Sequence, residues 1–203
     1  MSYITEFFSK GGILIIPLLL LLIVGLAIIV FKALQLRRKS TVSPALTGKI
    51  EQLVLDRNIL EATALCKQNN VPMSRVMLAG IVNYEKPESE LKEILEEAGR
   101  QEIPKIRSYL PALGTIASVA PLLGLLGTVI GMIEVFSTIS QEDSVNPGKL
   151  AGGISQALIT TAFGMVIAMP TLAAYNYFIA KVQTLVIEME KTSLNLVAAL
   201  KRS

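Results

Sequence analysis

LAGGISQALITTAFGMVIAMPTLAAYNYFIA, Leu150 to Ala180, runs for 31 residues without a charged side chain. As a helix rising about 1.5 Å per residue it would be roughly 46 Å long, whereas about 20 apolar residues cross the hydrocarbon core of a bilayer. The stretch therefore reads as a membrane-spanning helix with one end projecting into water as continuous helix. Its first half nevertheless carries Ser155, Gln156, Thr160 and Thr161, and their presence in an apolar span needs a reason.

Two more uncharged runs, Gly11 to Phe31 and Ser108 to Ile133, hold 21 and 26 residues, each enough for one crossing. The chain as a whole has 203 residues, 52% hydrophobic and 17% charged, with a mean hydropathy of +0.56. That balance makes the bilayer its solvent. With no His and a single Cys, Cys66, the chain has no His-ligated metal site, no His-based catalysis and no internal disulfide. The expectation is a protein that is not an enzyme and has no metal or cofactor. The net charge of +3 is not gathered into a basic cluster with aromatics, so nucleic acid is not an expected partner.

Only Lys10 precedes the first run, and Lys32, Arg37, Arg38 and Lys39 follow it, which marks a retained anchor rather than a cleaved leader. The segment from Lys32 to Arg107 and the tail from Lys181 to Arg202 hold nearly all the Lys and Arg. The Ser137 to Lys149 connection has Lys149 against Glu142 and Asp143. Basic segments stay in the cytoplasm, so the sequence predicts an all-α membrane protein with three transmembrane helices, N-terminus outside and C-terminus cytoplasmic, whose long helices extend into a cytoplasmic helical domain. Residues 1–36 form the N-terminal segment and first transmembrane helix, 37–107 a cytoplasmic helical insert and 108–137 the second transmembrane helix. A short outer loop follows at 138–149, then the third transmembrane helix with its cytoplasmic extension at 150–180 and a cytoplasmic tail at 181–203. Cys66 then lies in the reducing compartment as a buried thiol.

Within the insert, Ile50, Leu53, Val54 and Ala64, Leu65 recur at helical spacing, and Asn69-Asn70-Val71-Pro72 breaks the pattern before Val76, Met77 and Ile81 resume it. After Pro87, ESELKEILEEAGRQE sets Glu88 against Lys92 and Glu96 against Arg100 four residues apart, which supports an exposed helix. Its charged face is either simply solvated or a docking surface. The turn signal Asn146-Pro147-Gly148 makes the last two spans an antiparallel hairpin, and Tyr175-Asn176-Tyr177 belongs at the inner interface.

These two spans carry matching small-residue faces. Gly127 and Gly131 form a small-xxx-small pair, and Thr128 has Gly124 one turn before it and Gly131 one turn after. On the third span Gly153, Ala157, Thr161, Gly164 and Ala168 make a similar stripe. Counted from Ser137 and Leu150, Thr128 and Thr161 lie roughly 14 and 17 Å deep, near the midplane, with Pro121 and Pro170 further in. The carbonyls those prolines free need a partner or water. Two readings follow: hydroxyls bonded back to their own helix within a close-packed pair, or a water-lined path. Gln156, costly toward lipid, points to an interior or pore. Thr160 is a weaker pore candidate, since it lies about 100° round the helix from Thr161 and suits back-bonding. Glu134, near the outer end, has either a solvated surface role or an ion-relay role. No Asp, Glu, Lys, Arg or His falls at the estimated midplane, so a proton path here needs a titrating group from another chain.

At APLLGLLGTVIGM, residues 120–132, and LAGGISQALITTAFGMVIAMPTLAAYNYF, residues 150–178, the sequence resembles the paired signature of the MotA/TolQ/ExbB proton channel family, including Pro121, Thr128, Thr161, Pro170 and Tyr175-Asn176. Three spans and a short chain resemble ExbB or TolQ more than MotA. The resemblance implies a homopentamer in the bacterial inner membrane, with the outer loop periplasmic, enclosing the single spans of ExbD-like or TolR-like subunits. Those partners would bring a titrating Asp into a lumen lined by Thr128 and Thr161. It further implies coupling to a TonB-like or TolA-like protein. Where members often read GISEAL this chain reads GISQAL, so Gln156 stands where relatives have an acid; a hydrogen-bonding role in the lumen predicts that Gln156→Leu impairs function more than Gln156→Glu. A non-conducting membrane scaffold for a single-span partner and a self-contained channel are the competing readings; the missing midplane charge weighs against the second.

Overall fold

The computed structural model describes residues 13–37, 43–141 and 147–202, and all the regular structure in them is helical. The chain divides into two compact units, Met1–Phe31 with Tyr109–Tyr177, and Lys32–Ser108 with Phe178–Ser203. Arg38, Lys39, Glu142, Asp143 and Asn146, which figured in the charge and turn arguments, lie outside the described residues, as does Lys10.

Three helices are long and apolar enough to cross a membrane: α1, Ile15–Arg37, α6, Leu110–Gln141, and α7, Pro147–Arg202. The first unit is built from them. Leu18 of α1, Ile116 and Ala120 of α6, and Ile167 and Ala168 of α7 form its core, flanked by Leu21, Ile28, Leu123 and Phe163. Leu122, Ile133, Val166 and Met169 face outward, an apolar rim that suits lipid and would be costly in water. Pro147 opens α7 at a position whose N–H would be unpaired in any helix.

The second unit contains α2, Pro44–Leu55, α3, Ile59–Gln68, α4, Pro72–Val82, and α5, Glu88–Arg107. Ile50, Val54, Cys66, Met77, Ile81, Leu91 and Leu95 are buried in it, and so are Met189, Leu196 and Val197 from the end of α7. The stretch expected as a separate tail from 181 is thus the continuation of one 56-residue helix. Its Lys201 ammonium donates to the carbonyls of Tyr84 and Lys86 at 3.1 and 2.5 Å, and Gly80 of α4 admits Leu95 and Leu196 where a Cβ would sit 2.9 and 3.3 Å from them.

The expected break at Asn69-Val71 is present, with the Asn69 amide donating to Leu65 O at 3.0 Å and α4 starting at Pro72. A second break, at Asp56–Asn58, was not anticipated. Arg57 turns at φ 58°, and Asn58 caps α3 by accepting from Glu61 N at 3.3 Å while its amide donates to Glu61 Oε2 at 2.6 Å, a reciprocal cap of the capping-box type. On α5 the pairs read from spacing are formed, Lys92 to Glu88 at 2.7 Å and Arg100 to Glu96 at 2.6 Å. The second span starts at Leu110 rather than Ser108, because Tyr109 adopts φ 64° and interrupts the helix.

Candidate functional site: the seam between two spanning helices

The glycine stripes meet. A Cβ on Gly124 would lie 3.0 Å from Thr161 Cα, one on Gly131 2.9 Å from Ala157 Cβ, and one on Gly164 2.5 Å from the carbonyl oxygen of Ala120. On Gly127 and Gly153 it would overlap the side chains of Thr160 and Val135. The two backbones are therefore in direct contact along most of the seam, which only small residues permit. Pro121 is half-buried and Pro170 exposed, so neither belongs to its tightest part.

The three threonines divide. Thr161 Oγ1 donates across the seam to Gly124 O at 2.8 Å. Thr128 Oγ1 donates to Leu125 O at 2.7 Å within α6 and stays half-buried. Thr160 is 2% exposed against Gly127 and bonds back to Gln156 O at 2.9 Å. It fills the seam against Gly127.

Gln156 also separates from Thr161. Five residues at about 100° each leave the two about 140° apart, with the seam residues Ala157 and Thr160 between them. Across the antiparallel pair Gly124 meets Thr161 and Gly127 meets Thr160, so Thr128, about 100° from Gly127 on the Gly124 side, flanks the same edge as Thr161. Gln156 lies on the opposite edge, two turns from Phe163, which packs with the α1 cluster. One face holds both Thr128 and Thr161; Gln156 is on another.

The contacts also set depth. A Cβ on Gly25 of α1 would lie 3.6 Å from Ile116 and 3.7 Å from Thr171, so these three positions are level. Six residues toward the basic end of α1 lead to Phe31, Leu110 and Tyr177, matching the limits of the first unit to within a residue. Aromatic rings mark that boundary: Phe31 and Tyr109 stack edge to face at 5.6 Å, and Tyr175 packs against Gly114, as expected at a headgroup interface. About 20 residues further, one hydrocarbon thickness, the levels on α6 and α7 are Ile130 and Ala157. Thr128 and Thr161 thus lie roughly 27 and 24 Å from the basic boundary at 1.5 Å per residue. A core of about 30 Å measured from that level would have them just inside its far side and its midplane near Ala120 and Ile167. This count differs from the one made from the loop because α6 continues to Gln141. Glu134 and Gln156 lie beyond the levels of Ile130 and Ala157 on this count.

Two ionic arrangements in the second unit were not foreseen as such. Lys32, read as one of the basic residues that end the first span, is fully buried. Arg75 clamps Glu102 with Nε to Oε1 at 2.9 Å and Nη2 to Oε2 at 2.5 Å, while Lys105 reaches Glu102 Oε1 at 2.7 Å. The Arg75 guanidinium, and then Lys105, hold the Glu102 carboxyl below its ordinary range, and the same pairing raises Arg75.

Comparison with known proteins agrees with this architecture. Over 176 residues the chain is 34% identical to the ExbB-like 3 protein of Synechocystis sp., covering 83% of this chain and 81% of that one. It is 34% identical to the biopolymer transport protein ExbB of Aquifex aeolicus over 58% of this chain and 80% of the relative. With the Tol-Pal system protein TolQ of Haemophilus influenzae it shares 38% identity over 47% and 43% of the two chains. Residues 68–191, which contain α4 to α6 and most of α7, match the model of the MotA/TolQ/ExbB proton channel family, and the chain belongs to that family.

Proposed function

We propose that this chain is the ExbB-like ring subunit of a motor in the bacterial inner membrane, driven by the proton-motive force. A homopentamer of it would enclose an ExbD-like single-span partner, and the assembly would energise a TonB-like protein for outer-membrane transport. The observation that carries this reading is the shared Thr128 and Thr161 edge within spans whose hydrocarbon segments contain no Asp, Glu, Lys, Arg or His. Such an edge offers hydroxyls to a proton carrier and supplies no carrier of its own, so the titrating group belongs to the partner. Each proton crossing releases about 2.3 kcal/mol per 100 mV. The likeness to TolQ keeps a TolQ-like role in envelope maintenance, with TolR-like and TolA-like partners, as the second reading; the ring would be the same and the partner would differ.

The test is proton flux into vesicles holding this chain with its single-span partner. Thr161→Val abolishes flux and Thr161→Ser retains most of it. In the same vesicles a hydrogen-bonding role of Gln156 in the lumen makes Gln156→Leu impair conduction more than Gln156→Glu, and equal tolerance of both removes that role. Undiminished flux through Thr161→Val removes the threonine edge from the path, and no flux in the parent complex leaves the non-conducting scaffold as the answer.

A further inference from the structure

Lys32 lies five residues before the end of α1, close enough to that end for a lysine to extend its ammonium to water. It does not. The side chain has no exposed surface, and Nζ donates to Ile106 O at 3.0 Å, to Gln35 Oε1 at 2.8 Å and to Ser108 Oγ at 3.3 Å. Ile106 is the penultimate residue of α5. In an unbroken helix its carbonyl would accept the N–H of Leu110, four residues on. Here Tyr109 stands between α5 and α6 at φ 64°, a left-handed conformation that a side chain with a Cβ adopts only against a penalty. The carbonyls at the end of α5 carry the partial negative charge of a helix C-terminus, and a buried cation placed on one of them matches that charge.

We propose that Lys32 is a positioning residue. It caps α5 and holds the chain at Tyr109 in its left-handed turn. Arg107 and Lys105 are exposed and serve as the solvated basic residues of this boundary; Lys32 has the different task of replacing the hydrogen bond lost at the elbow. Nothing in the spacing of the sequence pairs residue 32 with residue 106.

Amide hydrogen exchange on the full chain in lipid nanodiscs tests this. Lys32→Met leaves the Ile106 carbonyl without its donor, and exchange of the amides at 107–112 accelerates about tenfold, while those of Pro72–Val82 and residues 116–125 are unchanged. Adding Tyr109→Gly, which removes the penalty of the left-handed turn, slows the elbow again by about tenfold. Tyr109→Gly alone slows elbow exchange below the parent value, an arm that stands even where Lys32→Met fails to fold. Unchanged elbow exchange in Lys32→Met, acceleration spread evenly over the helices, or no slowing by Tyr109→Gly overturns the proposal. Exchange at the elbow is indifferent to proton conduction, so this test and the flux test fail separately.

Discussion

Gly164→Ala perturbs the seam where it is least able to give. The added methyl would stand 2.5 Å from the Ala120 carbonyl oxygen and 3.1 Å from Gly124 Cα, both backbone atoms that no rotamer change can move. A carbon and a carbonyl oxygen settle at about 3.3 Å, so the two helices must part by roughly 0.8 Å. The same displacement stretches the Thr161 to Gly124 hydrogen bond, 2.8 Å long, to about 3.6 Å, beyond the useful range. Overpacking of this kind costs about 1–3 kcal/mol, and an inter-helix hydrogen bond in a membrane adds about 0.6 kcal/mol; a loss of about 2–3 kcal/mol follows. Gly152→Ala, on the same helix, is the control: a Cβ there meets nothing within 4 Å, and replacing a helical glycine by alanine is neutral or favourable by up to about 1 kcal/mol. Reversible unfolding in mixed detergent micelles, followed by circular dichroism, measures both. Equal stability of Gly164→Ala and Gly152→Ala would refute the close-contact seam.

The Ser74 hydroxyl is buried and has no hydrogen-bond partner among the described residues. Ser74→Ala therefore leaves the protein as stable or more stable by up to about 1 kcal/mol in the same assay. Arg75→Met leaves the Glu102 carboxylate, whose side chain is 5% exposed, with Lys105 alone, and costs about 2–3 kcal/mol. Because the folded-state pKa of Glu102 is depressed, its contribution is complete above the ordinary Glu value, about 4.3, and is lost as pH falls through the folded value. Arg75→Met accordingly unfolds at a higher pH in an acid titration. Burial pushes the Cys66 thiol up to about 11, leaving about one thiolate in a thousand at pH 8; iodoacetamide labels it only after denaturation, and rapid labelling of the folded chain contradicts the burial.

The spans were legible because missing charge over 20 or more residues has few other meanings, and the seam because glycines four apart have little to offer except close approach. The α5 ion pairs followed from spacing alone. Depth did not, because an apolar run does not show where the bilayer stops when its helix continues past it; the level of Gly25 against Ile116 and Thr171 was needed. Gln156 and Thr161 look like neighbours in sequence, and their 140° separation became meaningful only once the seam showed which arc between them is filled. The break at Arg57 had a signal, Asn58 three residues before Glu61, that hydrophobic spacing overshadowed. Lys32 had none, since its acceptor is 74 residues away and its charge alone reads as an ordinary anchor.

The placement of Thr128 and Thr161 near one boundary has an electrical consequence. Between them and the aromatic level at Phe31, Tyr109 and Tyr177 lies about 24–27 Å of apolar side chains, out of a core roughly 30 Å thick. Low-dielectric material carries nearly all of a transmembrane voltage, so the threonines sit close to the potential of the aqueous phase on the loop side. Under the proposed function, a proton passing from their level to the basic end would cross four-fifths or more of the field, about 1.8–2.1 kcal/mol per 100 mV. Under that function the step that gains energy from the voltage would be the passage beyond the threonines, and arrival at them would be almost independent of it.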